Sequence, residues 1–391
     1  MKKLFMLILI IIFSFNVPVF ALEAPSVSAQ GAIIMDYETG RVIWSKNSDE
    51  PMSMASTTKI MTAIMAIESG TLDEYVEISS NAASAPKVRL GLSKGERWKM
   101  SDLLYALMLK SANDAAVAVA EHIGLTVEDF CIAMTKKAKT LGAKDTVFET
   151  PNGLDKGEHH STAYDMALIA RYALANEKFR EIIATPSATI TSEKGRSISV
   201  NNADRLLNEY EGAIGVKTGF TTKAGHCFVG AAERNGITLI SVVFASGWGS
   251  TGKEQKWRDT KKLLDFGFKN YEKVKVIDKG RFVLSLPVKL SREGSVGMVV
   301  NSDAYSILNP EETAALEVEY NYPDYIVSPV YKGQILGYAE VFTEGESLLT
   351  VDLVADADIK RNDFRTNFDK IINTWTSINY SYFFEYVRGK I

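Results

Sequence analysis

The chain has 391 residues, 46% hydrophobic and 24% charged, with a formal net charge of −4 and a pI near 5.8. That length suits two domains with tails, and the composition is that of an ordinary folded protein. A mildly acidic balance gives no footing for nucleic-acid binding, and four histidines scattered without ligand spacing argue against a zinc site.

In chain order, Lys2 and Lys3 precede an apolar run over 4–15, followed by Val19-Phe20-Ala21. A short positive region, a hydrophobic stretch and small or apolar residues at −3 and −1 predict a secretory signal peptide over 1–21, cleaved after Ala21. The run is too short for a comfortable membrane span. Two strands are predicted over 31–36 and 41–44, joined by a Tyr37-Glu38-Thr39-Gly40 turn. A helix follows over 56–68, closed by Gly70. Apolar spacing predicts further helices over 103–109, 114–123, 127–141 and 163–175. Strands are read over 214–216, 226–231 and 237–244, and a helix over 256–268. Strands at both ends with helices between predict an α+β domain, an antiparallel sheet with helices, over 22–270. Only Cys131 and Cys227 occur; they read as two buried free thiols, since two cysteines are no disulfide framework.

After Asn270 short Val, Ile, Leu and Tyr runs alternate with Gly, Pro and Asn turns, and no helical period survives. A small all-β domain over 271–355 is predicted. From Asp356 a third texture begins, with Phe364, Phe368, Ile371, Ile372, Trp375, Ile378, Tyr382 and Tyr386 on one helical stripe. The expectation is a C-terminal amphipathic helix over 356–391 lying on the outer face of the cytoplasmic membrane, with interfacial aromatics. A helix packed on protein is the plainer alternative. Asp369, Lys370, Asn373 and Thr376 exclude a span.

Three short motifs carry chemistry. Ser56-Thr57-Thr58-Lys59 opens the first helix, and a spacing of three puts the hydroxyl and the amine on one face. Serine needs a base, and lysine can serve only if burial or a neighbouring cation keeps it neutral. Ser111-Ala112-Asn113 sits at a helix–helix corner; Ser111 would relay a proton against Lys59, and Asn113 would hold a substrate amide. Lys217-Thr218-Gly219 leaves a short strand, with Lys217 and Thr218 offered to a substrate carboxylate and Gly219 permitting close backbone approach. Each alone has an ordinary explanation as a cap, a corner or a turn. In this order they are the signature of penicillin-binding proteins and class A β-lactamases.

With these motifs the chain resembles the low-molecular-mass penicillin-binding proteins, serine-type D-alanyl-D-alanine carboxypeptidases. The likeness extends to Gln30 through Asp36, Thr150-Pro151-Asn152-Gly153-Leu154, Ser161 through Met166 and Phe220-Thr221, and to Lys332 through Gly337 in the β-rich part. The resemblance implies the penicillin-binding fold and needs no cofactor. It implies Ser56 as nucleophile, Lys59 as base and Ser111 as proton relay to the departing D-Ala. Asn113, Lys217, Thr218, Gly219 and Phe220 would bind substrate, with the N–H groups of Ser56 and Phe220 as oxyanion hole. Its partners would be peptidoglycan stem peptides ending in D-Ala-D-Ala, and β-lactams. A further basic residue near the last helix is implied, and Lys256 and Arg258 both stand there. Against a class A β-lactamase, the nearest match to a Glu-x-x-Leu-Asn element is Asp204-Arg205-Leu206-Leu207-Asn208, with Asp for Glu and too late in the chain. A transpeptidase or endopeptidase differs only in acceptor or bond, and stays open.

Overall fold

The computed structural model describes residues 23–362, Phe368 and residues 371–376. The leader expected over 1–21 and most of the tail helix expected over 356–391 lie outside the described residues.

The central sheet is built from chain ends. Strands β1 (Gly31–Asp36) and β2 (Val42–Lys46) come first. A 3-10 turn over Ala55–Thr58 then leads directly into α1 (Lys59–Glu68), so the helix expected from Ser56 begins as a tighter turn. A short hairpin, β3 (Tyr75–Glu77) and β4 (Arg97–Lys99), brackets α2 (Ser80–Ala83). There follow α3 (Met100–Leu109), α4 (Asn113–Gly124), α5 (Val127–Thr140), α6 (Ala163–Leu174) and α7 (Glu177–Ala184). A second hairpin, β5 (Ser187–Thr191) and β6 (Ser197–Asn201), and α8 (Leu206–Glu209) precede β7 (Ala213–Thr221), β8 (Gly225–Arg234), β9 (Ile237–Phe244) and α9 (Gly249–Asn270). The sheet order is β2-β1-β9-β8-β7, all pairs antiparallel, which leaves β7 at an edge.

Strand period explains why this sheet is covered on both faces. On β1, Ile33 and Met35 enter the core shared with α1 and α3–α7, while Ala32 and Ile34 enter the core shared with Trp257, Leu263 and Leu264 of α9. The same alternation runs along β8 and β9, where Val229, Ile240 and Val242 face the helical layer and Phe228, Leu239 and Val243 face α9. The result is a three-layer α–β–α arrangement around an antiparallel sheet.

Beyond α9 the chain is strand-rich, with its own core around Met298, Ala339 and Leu353. Strands β10 (Glu272–Ile277), β11 (Phe282–Lys289), β12 (Ser295–Val300) and β13 (Ala304–Leu308) come before α10 (Pro310–Ala314). Then come β14 (Leu316–Asn321), β15 (Ile326–Val327), β16 (Ile335–Thr343) and β17 (Glu346–Ala355). Six of them form one sheet, β14-β16-β17-β12-β11-β15. The one helical turn here, unforeseen from periodicity, is held by a capping box: Asn309 Oδ1 accepts from Glu312 N at 2.9 Å, and Glu312 Oε2 accepts from Asn309 N at 3.0 Å.

The tail begins later than expected. Residues 356–362 are not helical: they bend at Asp356 and Ala357 and then bridge back to the β module, with Ile359 paired to Val330 and only 5% exposed. Ile359 therefore belongs to the β core and not to a helical stripe. Among the described tail residues, 371–376 are helical and exposed. Among the described residues no helix is long and apolar enough to cross a membrane.

Candidate active site

Ser56 is half-buried in the 3-10 turn, and its surroundings hold that turn from three sides. Ala55 has a left-handed φ of +49°, and Thr58 Oγ1 donates to Ala55 O at 2.8 Å. His159 holds Thr58 in turn. Its Nδ1 accepts from Glu149 N at 3.0 Å, which leaves the ring proton on Nε2 to reach Thr58 Oγ1 at 2.9 Å. Burial pushes the His159 pKa down to about 4, so the imidazole stays neutral. Two glycines close the turn. A Cβ on Gly153, where φ is +85°, would stand 1.9 Å from Ala55 O. One on Gly219 of β7 would stand 3.0 Å from Ser56 N, so the strand edge lies directly against the serine amide.

Lys59 is fully buried one turn on. Its Nζ lies 3.0 Å from Ser56 Oγ, 2.8 Å from Asn113 Oδ1 and 2.6 Å from Asn152 O. Its pKa is held well below the usual lysine value by burial first and by Lys217 second, against the opposing pull of Asp114. Asn113 is pinned because its Nδ2 donates to Pro86 O at 3.1 Å. A neutral Lys59 thus has fixed acceptors, Asn113 Oδ1 and Asn152 O, for its two N–H bonds. Its lone pair is left for the Ser56 hydroxyl. That is the protonation state a general base requires.

A second pair of amines stands behind. Lys217 on β7 is 1% exposed and donates to Thr218 O at 3.1 Å. Burial and then Lys256 bring its pKa to about 7, with Asp204 pulling the other way. Lys256 on α9 is 7% exposed, and burial lowers it to about 8. Arg258 is exposed to solvent, so of the two basic residues left open Lys256 is the one turned toward Lys217. Asp204 is buried; Leu206 N donates to its Oδ1 at 2.8 Å, while Oδ2 has no partner among the described residues. Burial pushes its carboxyl up to about 7, against Lys217 and Lys256. The segment that matched a β-lactamase element only weakly thus places a buried carboxyl beside these two lysines.

Ser111, expected as the proton relay, is not engaged with either lysine. It fills the gap between α3 and α4 with φ +64°, and its hydroxyl bonds to neither lysine, as the bonds of Lys59 and Lys217 go elsewhere. Asn113 binds Lys59 with the same amide that was expected to hold substrate. On β7, half-buried Thr218 and exposed Phe220 alternate with buried Lys217 and Gly219, and Phe220 stacks on His226 at 4.3 Å. The contribution missed from sequence is the Asn152 carbonyl, which a side-chain motif cannot announce. Cys131 and Cys227 are both buried and free, their thiols pushed up to about 12 by burial.

The chain matches the D-alanyl-D-alanine carboxypeptidase family over residues 19–247 and the penicillin-binding protein 5 C-terminal domain over residues 271–361. It is 34% identical over 355 residues to the D-alanyl-D-alanine carboxypeptidase DacF of Bacillus subtilis, covering 89% of this chain and 90% of that one. Among solved structures it resembles penicillin-binding protein 5 of Haemophilus influenzae, with a TM-score of 0.73 and 28% identity, over 87% of this chain and 100% of that one. A Streptomyces DD-transpeptidase variant is 32% identical with a TM-score of 0.59, over 63% of this chain and 100% of that one.

Proposed function

This chain belongs to the D-alanyl-D-alanine carboxypeptidase family and is a serine-type DD-carboxypeptidase; from that premise we propose which of its residues perform the reaction. Ser56 Oγ attacks the carbonyl carbon of the penultimate D-Ala as Lys59 Nζ takes its proton. The oxyanion forms against the N–H groups of Ser56 and Phe220, and the contact between Gly219 and the serine amide supports that pairing. The intermediate collapses as the C–N bond breaks, and the leaving D-Ala amine takes a proton handed on through Ser111. Water then attacks the ester, with Lys59 again as base, and releases the shortened peptide.

Lys217 and Thr218 hold the terminal carboxylate, and Lys256 adds the second positive charge. Asn113 keeps Lys59 oriented, and substrate contact would fall to the same amide. β-Lactams acylate Ser56 by the same attack. The observation that carries this reading is the Lys59 amine 3.0 Å from Ser56 Oγ with both its N–H bonds already directed at fixed acceptors.

The test is mass spectrometry of the protein after penicillin, and separately of a pentapeptide ending in D-Ala-D-Ala. A penicilloyl adduct on Ser56 and free D-Ala are expected, and Ser56→Ala should show neither. Release of D-Ala by that variant would remove Ser56 from the role. The resemblance to a DD-transpeptidase motivates a second reading, which the same experiment separates by a cross-linked dimer when an amine acceptor is added.

Residues 22–270 would form the catalytic domain and 271–355, continued to Asn362, the β module. A cleaved leader over 1–21 would export the chain, and the tail would hold it at the outer face of the cytoplasmic membrane.

A further inference from the structure

The loop between β6 and α8 is pinned at several points. Asn202 Nδ2 donates to Ile183 O at 2.9 Å and to Thr185 O at 3.0 Å, while its Oδ1 accepts from Asp204 N at 2.9 Å. Ala203 N donates to Leu109 O at 3.0 Å, at the end of α3 and two residues before Ser111. The helix that follows, α8, packs on β7. The loop therefore joins the corner that carries Ser111 to the strand that carries Lys217, and Asp204 is its acidic residue.

Asp204 is 4% exposed, and its Oδ2 has no partner among the described residues. Asp114 and Asp259 are buried as well, but in each of them both oxygens accept hydrogen bonds. An unbonded buried oxygen is costly, and here the offset is charge. Lys217 on β7 and Lys256 on α9 both favour the ionised carboxylate, against burial. The neighbouring Arg205 is turned outward, to Glu209 and Glu254 at 2.8 Å each. Around Lys256 stand Lys253 and Glu254, of opposite sign, and the buried Cys227 thiol of β8. Two buried amines against one buried carboxyl leave room for one more negative charge, which a substrate carboxylate would supply.

We propose that Asp204 is a positioning residue for the terminal carboxylate of the substrate, acting through Lys217 and Lys256 by letting both remain ammonium groups. Without it, two ammonium groups buried close together repel, and one gives up its proton. Asp204 is itself pushed up to about 7, so its support is present above that pH and fades below it. The inference rests on Lys217 and Lys256 as the holders of that carboxylate.

The experiment uses the full chain and two substrates that give the same acyl-enzyme. One is a peptide ending in D-Ala-D-Ala; the other ends in D-Ala methyl ester, which loses methanol and carries no carboxylate. The ratio of their kcat/KM values, peptide over ester, cancels any change in Ser56 or Lys59 common to both. In Asp204→Asn that ratio should fall about tenfold at pH 8, through the KM of the peptide, as for the loss of one charge partner. At pH 6, where Asp204 is already protonated, it should match the unaltered protein. Asp204→Ser, which keeps an uncharged oxygen for Leu206 N, serves should Asp204→Asn not fold. A ratio unchanged at pH 8, or lowered equally at pH 6 and pH 8, overturns the role of Asp204. If in the unaltered protein the ratio did not fall between pH 7 and pH 10, the two lysines would not hold the carboxylate, and the inference would fall with that assignment.

Discussion

Lys217 shows what the site costs the fold. In an unfolded chain a lysine titrates near 10.4, whereas burial and Lys256 bring this one to about 7. Between those values the unfolded state binds more protons, so this group makes stability rise with pH. Below about pH 7 both states are protonated and the penalty is constant. Lys217→Met should therefore be the more stable protein at pH 7, by roughly 1 kcal/mol or more, while losing penicillin labelling. Urea unfolding at pH 7 and pH 10 checks it, since the advantage should shrink at the higher pH. A variant equally stable or weaker at pH 7 would mean that Asp204, left without its partner, outweighs the relief.

At the scale of elements, the nucleophile depends on a turn squeezed between Gly153 and Gly219. Gly153→Ala would drive a methyl into Ala55 O, and the turn must move. A displacement near 1 Å is enough to cost about 100-fold in rate, so penicillin acylation should fall by at least that. Gly70→Ala is the contrast. It shares the positive φ but meets nothing within 4 Å, so it should cost about 1 kcal/mol in stability and leave acylation intact. Equal acylation loss in both would show that backbone strain, not the Ala55 contact, matters.

Helices with a broad apolar face, such as α4 and α6, were readable from spacing alone. The hairpin β5–β6 was not, since each strand buries one residue of five and leaves almost no pattern. β7 read as a short strand over 214–216, with Gly219 taken as a turn glycine in its plainest explanation, although the strand runs on to Thr221.

For the whole molecule, the β module is joined to the catalytic part by polar contacts near the sheet edge. Arg41, following β1, donates from Nη1 to Ile307 O at 2.6 Å and pairs with Glu312, and Lys273 meets Glu38 at 2.5 Å. Because Ile359 is part of the module's core, the tail can be removed cleanly only beyond Asn362. Full-length protein should sediment with membranes, and a chain ending at Asn362 should remain in the supernatant while still labelling with penicillin. The exposure of Ile371, Ile372 and Trp375, at 60%, 44% and 70%, motivates that expectation. Identical partitioning of the two would remove the tail from the role.

Motif order and local pattern determined the family, the α+β class, the strand-rich second half and the positions of Ser56, Lys59 and Lys217, because spacing along a helix or strand is a property of adjacent residues. Tertiary structure alone decided the rest. It paired Lys59 with a carbonyl 93 residues away, buried Lys256 near Lys217 while leaving Arg258 exposed, and put Asp204 behind two lysines. It left the Ser111 hydroxyl apart from both amines. Those outcomes depend on burial and on which distant backbone groups come within about 3 Å, and a linear sequence carries neither.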